Sequence, residues 1–300
     1  MPCLPRSPLN SLLRHAGTAS LLAAACLCAL NAVAAPVVAV SIKPLEHLVA
    51  ALTEGVTSPQ LVVQPGQDPH HISLRPSERR VLADADLLVW VGPAMELPLE
   101  ELVQQIDGRV LTAQTLPDMQ LVDAHPGADP HLWLDTRNAQ VIAVAVVQQL
   151  LQLDPDNRQH YEANLAAFRA QMQAMHAALL ERAERGGVQA WAVYHHAFRY
   201  TQAEFGLPAP LLLRDSDNVE PGLRSVLAFR AGLHDAGLTC LVVETGTPAD
   251  ELAALLDDAS LRTEEVDVLG INRAVQAGSF AALLEAVFNG IQRCAGAAHE

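Results

Sequence analysis

The chain has 300 residues, half of them hydrophobic, with 34 acidic side chains against 19 basic ones. Nucleic acid and anionic membrane surfaces repel such an acidic protein, so neither is expected as a partner. Lys43 is the only lysine, which excludes a Gly-Lys phosphate-binding loop. A cation is the small ligand that this composition favours.

Residues 1–34 have the features of a secretory signal peptide. Arg6 and Arg14 make the start positive, an apolar run follows, and Ala32-Val33-Ala34 matches the small-x-small cleavage pattern. The apolar run is shorter than the roughly 20 residues of a membrane-spanning helix. We therefore expect export to the periplasm; a retained anchor helix and a lipoprotein signal are the alternatives. The remaining chain has 17 basic and 34 acidic residues, because the segment contains two arginines and no acid.

Strand-like and helical runs alternate in the first half of the remaining chain. The strand candidates are 37–42, 61–63 and 86–91, and the helical candidates are 44–53, 76–85 and 136–151. Proline opens the helical run at 76, where its fixed backbone angle suits the first turn. The alternation predicts a largely parallel sheet covered by helices.

The second half repeats this pattern with different residues. Its strand candidates are 190–194, 210–213, 239–244 and 265–269, and its helical candidates are 196–205, 221–236, 248–258 and 279–294. Two cysteines, Cys240 and Cys294, lie in this half, and the other three lie in the predicted signal. In an oxidising compartment such a pair indicates one disulfide, although two free buried thiols are the alternative.

One long helix is predicted between the halves. Asp154 is a good cap, Pro155 suits the first turn, and Gly186-Gly187 ends the run. Apolar residues recur along it at steps of three and four, which predicts a packing surface. They are Tyr161, Leu165, Phe168, Met172, Met175 and Leu179. We expect an α/β protein with an N-terminal lobe (35–153), a linking helix (154–187) that limits lobe motion, and a C-terminal lobe (188–300).

Three histidines, His70, His131 and His195, are about sixty residues apart, each near a boundary between predicted elements. Neutral imidazole is the commonest protein ligand for a metal such as zinc. Each histidine alone is typical of a surface or hydrogen-bonded side chain. Their joint placement favours a metal site at the junction between structural units.

Four segments of the chain resemble the ZnuA family, the periplasmic solute-binding proteins of high-affinity zinc ABC importers. They are Ser41-Ile42-Lys43-Pro44-Leu45, Ser73-Leu74-Arg75-Pro76-Ser77, Asp86-Leu87-Leu88-Val89-Trp90-Val91-Gly92-Pro93 and His131-Leu132-Trp133-Leu134. The resemblance runs in order over nearly the whole chain after the signal. It implies two α/β lobes joined by a rigid helix, with metal in the cleft between them. It also implies a protein that captures Zn(II) and delivers it to a membrane permease.

The resemblance implies particular ligands. The family's ligand histidines fall on His70, His131 and His195, and Asp267 lies where related proteins place a carboxylate, although water fills that position in several zinc members. Pro69 stands where some members have a glutamate. The Cys240 and Cys294 pair also matches a disulfide of the family.

Two features depart from the family pattern. The His- and Asp-rich loop of many zinc members is reduced here to 122–129, in which we expect His125 to be solvated. His71 and His196 replace residues that are commonly aspartate. We expect both to support the ligands or to face solvent, since neighbours on extended backbone point to opposite sides.

Three imidazoles with Asp267 or water favour zinc over manganese, which prefers carboxylates. Copper would also bind such a site tightly. We expect a monomer that is not an enzyme. The alternatives are a manganese or iron protein of the same fold, an exported zinc hydrolase with Glu244 as its candidate base, and an adhesin or zinc store.

Overall fold

The computed structural model describes residues 34–124, 127–214, 221–253 and 261–295. Pro36–Glu300 forms one compact unit and Met1–Ala35 a separate one, of which only the last two residues are described. The predicted signal peptide therefore lies outside the described residues. Within the described part, none of the helices has the length and apolar character needed to cross a membrane.

The first half carries a four-stranded parallel sheet of order β2-β1-β3-β4. Its strands are β1 (Val38–Val40), β2 (Gln60–Leu61), β3 (Leu87–Trp90) and β4 (Arg109–Thr112). Ala39 pairs with Gln60 on one side and Leu88 on the other, and Leu88 pairs in turn with Val110. The central strands β1 and β3 are buried along their whole length, as expected where helices cover both faces of a parallel sheet.

The described part of this half contains five α-helices, and proline or a side-chain cap begins the longer ones. They are α1 (Lys43–Leu52), α2 (Pro76–Ala83), α3 (Pro93–Glu96), α4 (Glu100–Val103) and α5 (Thr136–Leu153). Asp135 caps α5 by accepting hydrogen bonds from the backbone N–H groups of Arg137 and Asn138. Short 3-10 turns at Leu97–Leu99, Ala113–Thr115 and Leu132–Leu134 complete the half.

The second half repeats the parallel arrangement with the order β6-β5-β7-β8. Its strands are β5 (Ala192–His195), β6 (Leu211–Arg214), β7 (Cys240–Glu244) and β8 (Arg262–Val266). Its helices are α7 (Arg199–Phe205), α8 (Leu223–Asp235), α9 (Ala249–Ala253) and α10 (Ser279–Ala295). Cys240 and Cys294 form the predicted disulfide, with 5.3 Å between their Cα atoms, and it ties α10 to β7.

The long helix between the halves is α6 (Arg158–Glu184), preceded by a 3-10 turn at Pro155–Asn157. It packs against α1 and α5 of the first half and against α7 and α10 of the second. The predicted stripe is its packing surface: four of its members are buried, and Leu165 and Met175 pack against the core. The predicted lobe boundaries stay a prediction, since the chain from Pro36 onward is compact as a whole.

Two of the four edge strands, β4 and β8, differ most from the sequence prediction. No strand was predicted at β4, and β8 was predicted about three residues too late, at 265–269. Both are partly exposed and rich in polar residues, so they lack the apolar run that identifies a central strand. The predicted helix at 248–258 is described only as far as Ala253, and its remainder lies outside the described residues.

Candidate metal centre

Histidines from the two halves lie close together beside the carboxyl end of β5. His195 is the last residue of β5, and His131 lies just before the 3-10 turn that leads into α5. Their ring centroids are 5.4 Å apart. Ligands of open parallel sheets bind beside this edge, so the position suits a binding site.

His70 is the third histidine of this group. It lies in the turn segment after β2, where its backbone N–H donates to Asp68 Oδ1 at 2.9 Å. Its ring centroid is 6.0 Å from that of His131, edge-on, and its side chain is half-buried. The structure therefore brings the three predicted ligand histidines into one chain of rings, with His131 in the middle.

An acidic residue completes the tightest cluster of potential ligands. His131, His195 and Glu244 each offer one ligand atom, and these atoms all lie within 4.8 Å of one another. Glu244 Oε1 is 2.5 Å from His195 Nδ1. Sequence analysis identified Glu244 only as the candidate base of a hydrolase. Its position at the end of the strand next to the one that carries His195 was a usable signal for a role in the site.

A second carboxylate holds His131 in the same way. Asp129 Oδ1 lies 3.0 Å from His131 Nδ1 and accepts the backbone N–H of His131 at 2.9 Å. Both side chains are 4% exposed. A carboxylate on Nδ1 fixes the proton there and leaves Nε2 available to a metal. Sequence reasoning missed Asp129, whose signal was a carboxylate two residues before a candidate ligand.

Asp267 lies outside this cluster and caps a turn. Its Oδ1 accepts the backbone N–H of Ile271 and its Oδ2 that of Asn272, both at 3.0 Å. It also borders a polar cavity of about 370 Å³ that Thr245 and Arg273 help to line. Its role as a fourth ligand stays a prediction.

The doubled histidines have different surroundings. The His71 side chain is 67% exposed and its Nδ1 lies 2.6 Å from Asp68 Oδ2, so it faces solvent. His196 is buried, and burial lowers its pKa to about 4. Its Nδ1 has no hydrogen-bond partner among the described residues. His125 lies outside the described residues.

A buried carboxyl joins the segments that follow β1 and β3. Glu96 is fully buried, and burial raises its pKa to about 7. It accepts hydrogen bonds from Ser41 Oγ and, at 3.0 Å, from the backbone N–H of Gly92. Ser41 and Gly92 follow β1 and β3 and belong to two of the sequence segments that resemble the family. Their shared contact with Glu96 explains why these two segments lie at the same edge of the sheet.

Side chains of the second half hold the segment that carries His131. Tyr200 Oη donates to the Asp129 carbonyl at 2.8 Å, and Arg199 Nε lies 3.4 Å from Asp129 Oδ2. Trp133 Nε1 donates to the Val268 carbonyl at 3.0 Å. The His131 segment is therefore enclosed by both halves.

Two further contacts join the halves away from the three candidate ligand histidines. Glu204 accepts the backbone N–H of Thr136 at 3.0 Å and contacts His176 Nδ1 at 2.8 Å, and burial raises its pKa. His47 on α1 is buried, with Nδ1 2.8 Å from Ser279 Oγ and Nε2 3.0 Å from the Gly270 carbonyl. Burial lowers the pKa of His47, which keeps its ring neutral in this contact.

Comparisons with known proteins agree on one family. The family model for ZnuA, described as zinc-uptake complex component A, periplasmic, matches residues 38–294. The high-affinity zinc uptake system protein ZnuA of Paracoccus denitrificans is 27% identical, covering 87% of this chain and 92% of that protein. The protein of the same name from Yersinia pestis is 26% identical with the same coverage.

Solved structures share the fold. A crystal structure of ZnuA superposes with a TM-score of 0.76 at 22% identity and covers 87% of this chain and 99% of that one. The periplasmic zinc-binding protein TroA from Treponema pallidum gives 0.76 at 19% identity, covering 86% and 98%. The likeness confirms the predicted two-lobe α/β fold.

Proposed function

The chain belongs to the ZnuA family of periplasmic zinc-uptake components, and we propose that it captures Zn(II) outside the cytoplasm and delivers it to an ABC-type membrane permease. Members of this family are solute-binding transport components, so the role is binding and delivery, with no chemical step. Zinc is the cargo of this transport process.

The observation that carries the proposal is the pair of rings at the junction of the two halves. His131 and His195 come from different halves of the molecule, yet their ring centroids are 5.4 Å apart. Each has a carboxylate on Nδ1, a contact that orients the ring so that Nε2 can bind a metal. A metal bound there joins the two halves, and separation of the halves releases it.

We propose His70, His131 and His195 as the imidazole ligands. On the family resemblance, Asp267 or water takes the fourth position. Glu244 is a further candidate, because its ligand atom lies within 4.8 Å of those of His131 and His195. Asp267→Ala separates Asp267 from water as the fourth ligand, since this substitution weakens zinc binding in calorimetry only if Asp267 supplies a ligand oxygen. A nitrogen-rich set of this kind favours zinc, with Zn–N distances of about 2.0–2.1 Å.

The proposal includes export and a monomeric state. A signal peptide at 1–34 would direct the chain to the periplasm, where the Cys240–Cys294 disulfide persists in an oxidising environment. Amino-terminal sequencing of the exported protein, with cleavage expected after Ala34, checks the first point. Light scattering of the purified protein checks the second.

Calorimetric titration tests the binding role. Metal-stripped protein should bind one zinc ion tightly, and the double variant His131→Ala, His195→Ala should bind none at the same concentration. His234→Ala is the matched control, because that histidine side chain is 91% exposed on α8, and it should bind like the parent. Equal titrations for the parent and the double variant would overturn the proposal.

A further inference from the structure

We infer that Arg199 is a positioning residue through which the second half of the molecule orients the His131 ligand of the first half, an inference that rests on the proposed zinc-binding function. It acts through Asp129 and touches no metal itself. Neither the family model nor the histidine pattern of the sequence assigns a role to Arg199 or Asp129.

The Asp129 carboxylate is buried next to His131. Its side chain is only 4% exposed, and a buried carboxylate needs charged or hydrogen-bonding partners. One oxygen, Oδ1, serves His131 twice, through the backbone N–H and through Nδ1. The other oxygen faces the guanidinium of Arg199 at 3.4 Å. Arg199 thus holds one side of the carboxylate while the other side orients the ligand ring.

The cation comes from the half that carries the other ligand. Arg199 is the first residue of α7, four positions after His195. The next residue, Tyr200, donates its hydroxyl to the Asp129 carbonyl at 2.8 Å and is fully buried. Two consecutive side chains of α7 therefore contact Asp129: Tyr200 donates to its carbonyl, and Arg199 pairs with its carboxylate.

This arrangement links the two ligands mechanically. If the halves separate, Asp129 loses Arg199 and Tyr200 together, and the carboxylate is no longer held against His131 Nδ1. The His131 ring then loses its fixed orientation at the same time as it moves away from His195. Arg199 therefore slows zinc release as long as the halves are closed.

A nearby ion pair provides a matched control. Arg137 contacts Asp135 at 2.5 Å, and Asp135 is 1% exposed and lies four residues after His131. Both members of this pair belong to the first half. Arg137→Met therefore removes an arginine–aspartate pair from the same region while leaving the Arg199 and Tyr200 contacts of Asp129 in place.

The test measures zinc release by stopped-flow mixing of the zinc-loaded protein with excess chelator. Arg199→Met, which keeps the length but not the charge, should release zinc about 10–100-fold faster, the usual effect of losing a group that supports a ligand histidine. Arg199→Lys should restore much of the parent rate, and Arg137→Met should release like the parent. The visible spectrum of the Co(II)-loaded Arg199→Met protein should match the parent, because the ligands are unchanged.

A double-mutant cycle assigns the effect to Asp129. Asp129→Asn should itself speed release, and adding Arg199→Met to it should cause no further change, because coupled residues are not additive. Additive effects, or parent-like release by Arg199→Met, would overturn the inference while the parent's zinc binding stands. Equal acceleration in Arg137→Met would also overturn it, by indicating general loosening. A parent that binds no zinc would overturn the proposed function instead.

Discussion

Each half of the molecule contributes a histidine supported by a carboxylate, and the two pairs differ in burial. Each offers a histidine whose Nδ1 is engaged by a carboxylate, Asp129 for His131 and Glu244 for His195. The first pair is 4% exposed on both sides, whereas the second is 9% and 22% exposed. Burial of the two histidine–carboxylate pairs is therefore asymmetric.

The difference follows from where each ligand sits. His195 ends a central strand, where it pairs with Arg214 of β6, so the sheet fixes its backbone. His131 lies in a loop, where no sheet fixes it, and its position depends on Asp129, Arg199 and Tyr200. A strand-end ligand is positioned by its sheet, while a loop ligand needs partners from elsewhere in the fold.

Removing each histidine separately gives the largest expected effect. His131→Ala and His195→Ala should each weaken zinc binding by about 1,000-fold, which is about 4 kcal/mol. The two variants should differ in stability. His131→Ala leaves the buried Asp129 short of a partner and should lower the free energy of unfolding by about 1–3 kcal/mol more than His195→Ala does. Calorimetry and urea unfolding of the metal-free proteins measure the two quantities; equal stabilities would break the comparison.

The disulfide should contribute about as much to the free energy of unfolding as one ligand histidine contributes to zinc binding. It should contribute little to zinc affinity. Replacing Cys240 and Cys294 by serine frees a loop of 54 residues and should cost about 4 kcal/mol in the chain-entropy description. Cys240 begins β7 while Glu244 ends it, so zinc affinity should stay within about twofold of the parent. Urea unfolding of the double variant, with the reduced parent as control, checks this. An unchanged unfolding midpoint would contradict it.

The two carboxylates should rank by burial. Asp129→Asn and Glu244→Gln should each weaken zinc binding about 10–100-fold, with the larger loss for Asp129. Water can reach and replace the partly exposed Glu244, but it cannot easily replace the buried Asp129. Competition with a zinc indicator measures both affinities. A larger loss for Glu244→Gln would identify it as a ligand of the ion and not only a support of His195.

Glu96 should produce the smallest effect, a dependence of stability on pH. Its pKa is raised to about 7 in the folded protein, so the folded state holds this proton more tightly than the unfolded state does. The resulting stability is present at low pH and is lost as the pH rises through 7, by about 1 kcal/mol between pH 6 and pH 8. Thermal unfolding of metal-free parent and Glu96→Gln should show a smaller decrease in the variant. Parallel decreases would contradict the raised pKa.

The sequence predicted the central parts of the fold and the histidines of the site. Buried strands such as β3 read as unbroken apolar runs, and three imidazoles at element boundaries indicate a metal before any contact is known. The family resemblance supplied the ligand assignment. β4 was missed and β8 was placed too late, because both are edge strands with exposed polar positions.

The supporting carboxylates could not be identified in the same way. Acidic residues are frequent in this chain, and only tertiary packing decides which of them reaches a histidine. Asp267 follows a strand in the right half, yet its oxygens serve the backbone N–H groups of Ile271 and Asn272. Glu244 reaches His195 because β7 pairs with β5 in the sheet.

Anomalous diffraction at the zinc edge from crystals of the zinc-loaded protein measures the shared site directly. We predict one strong peak between the two halves, about 2.0–2.1 Å from Nε2 of both His131 and His195. A peak bound to residues of one half alone, or one away from both rings, would contradict the account.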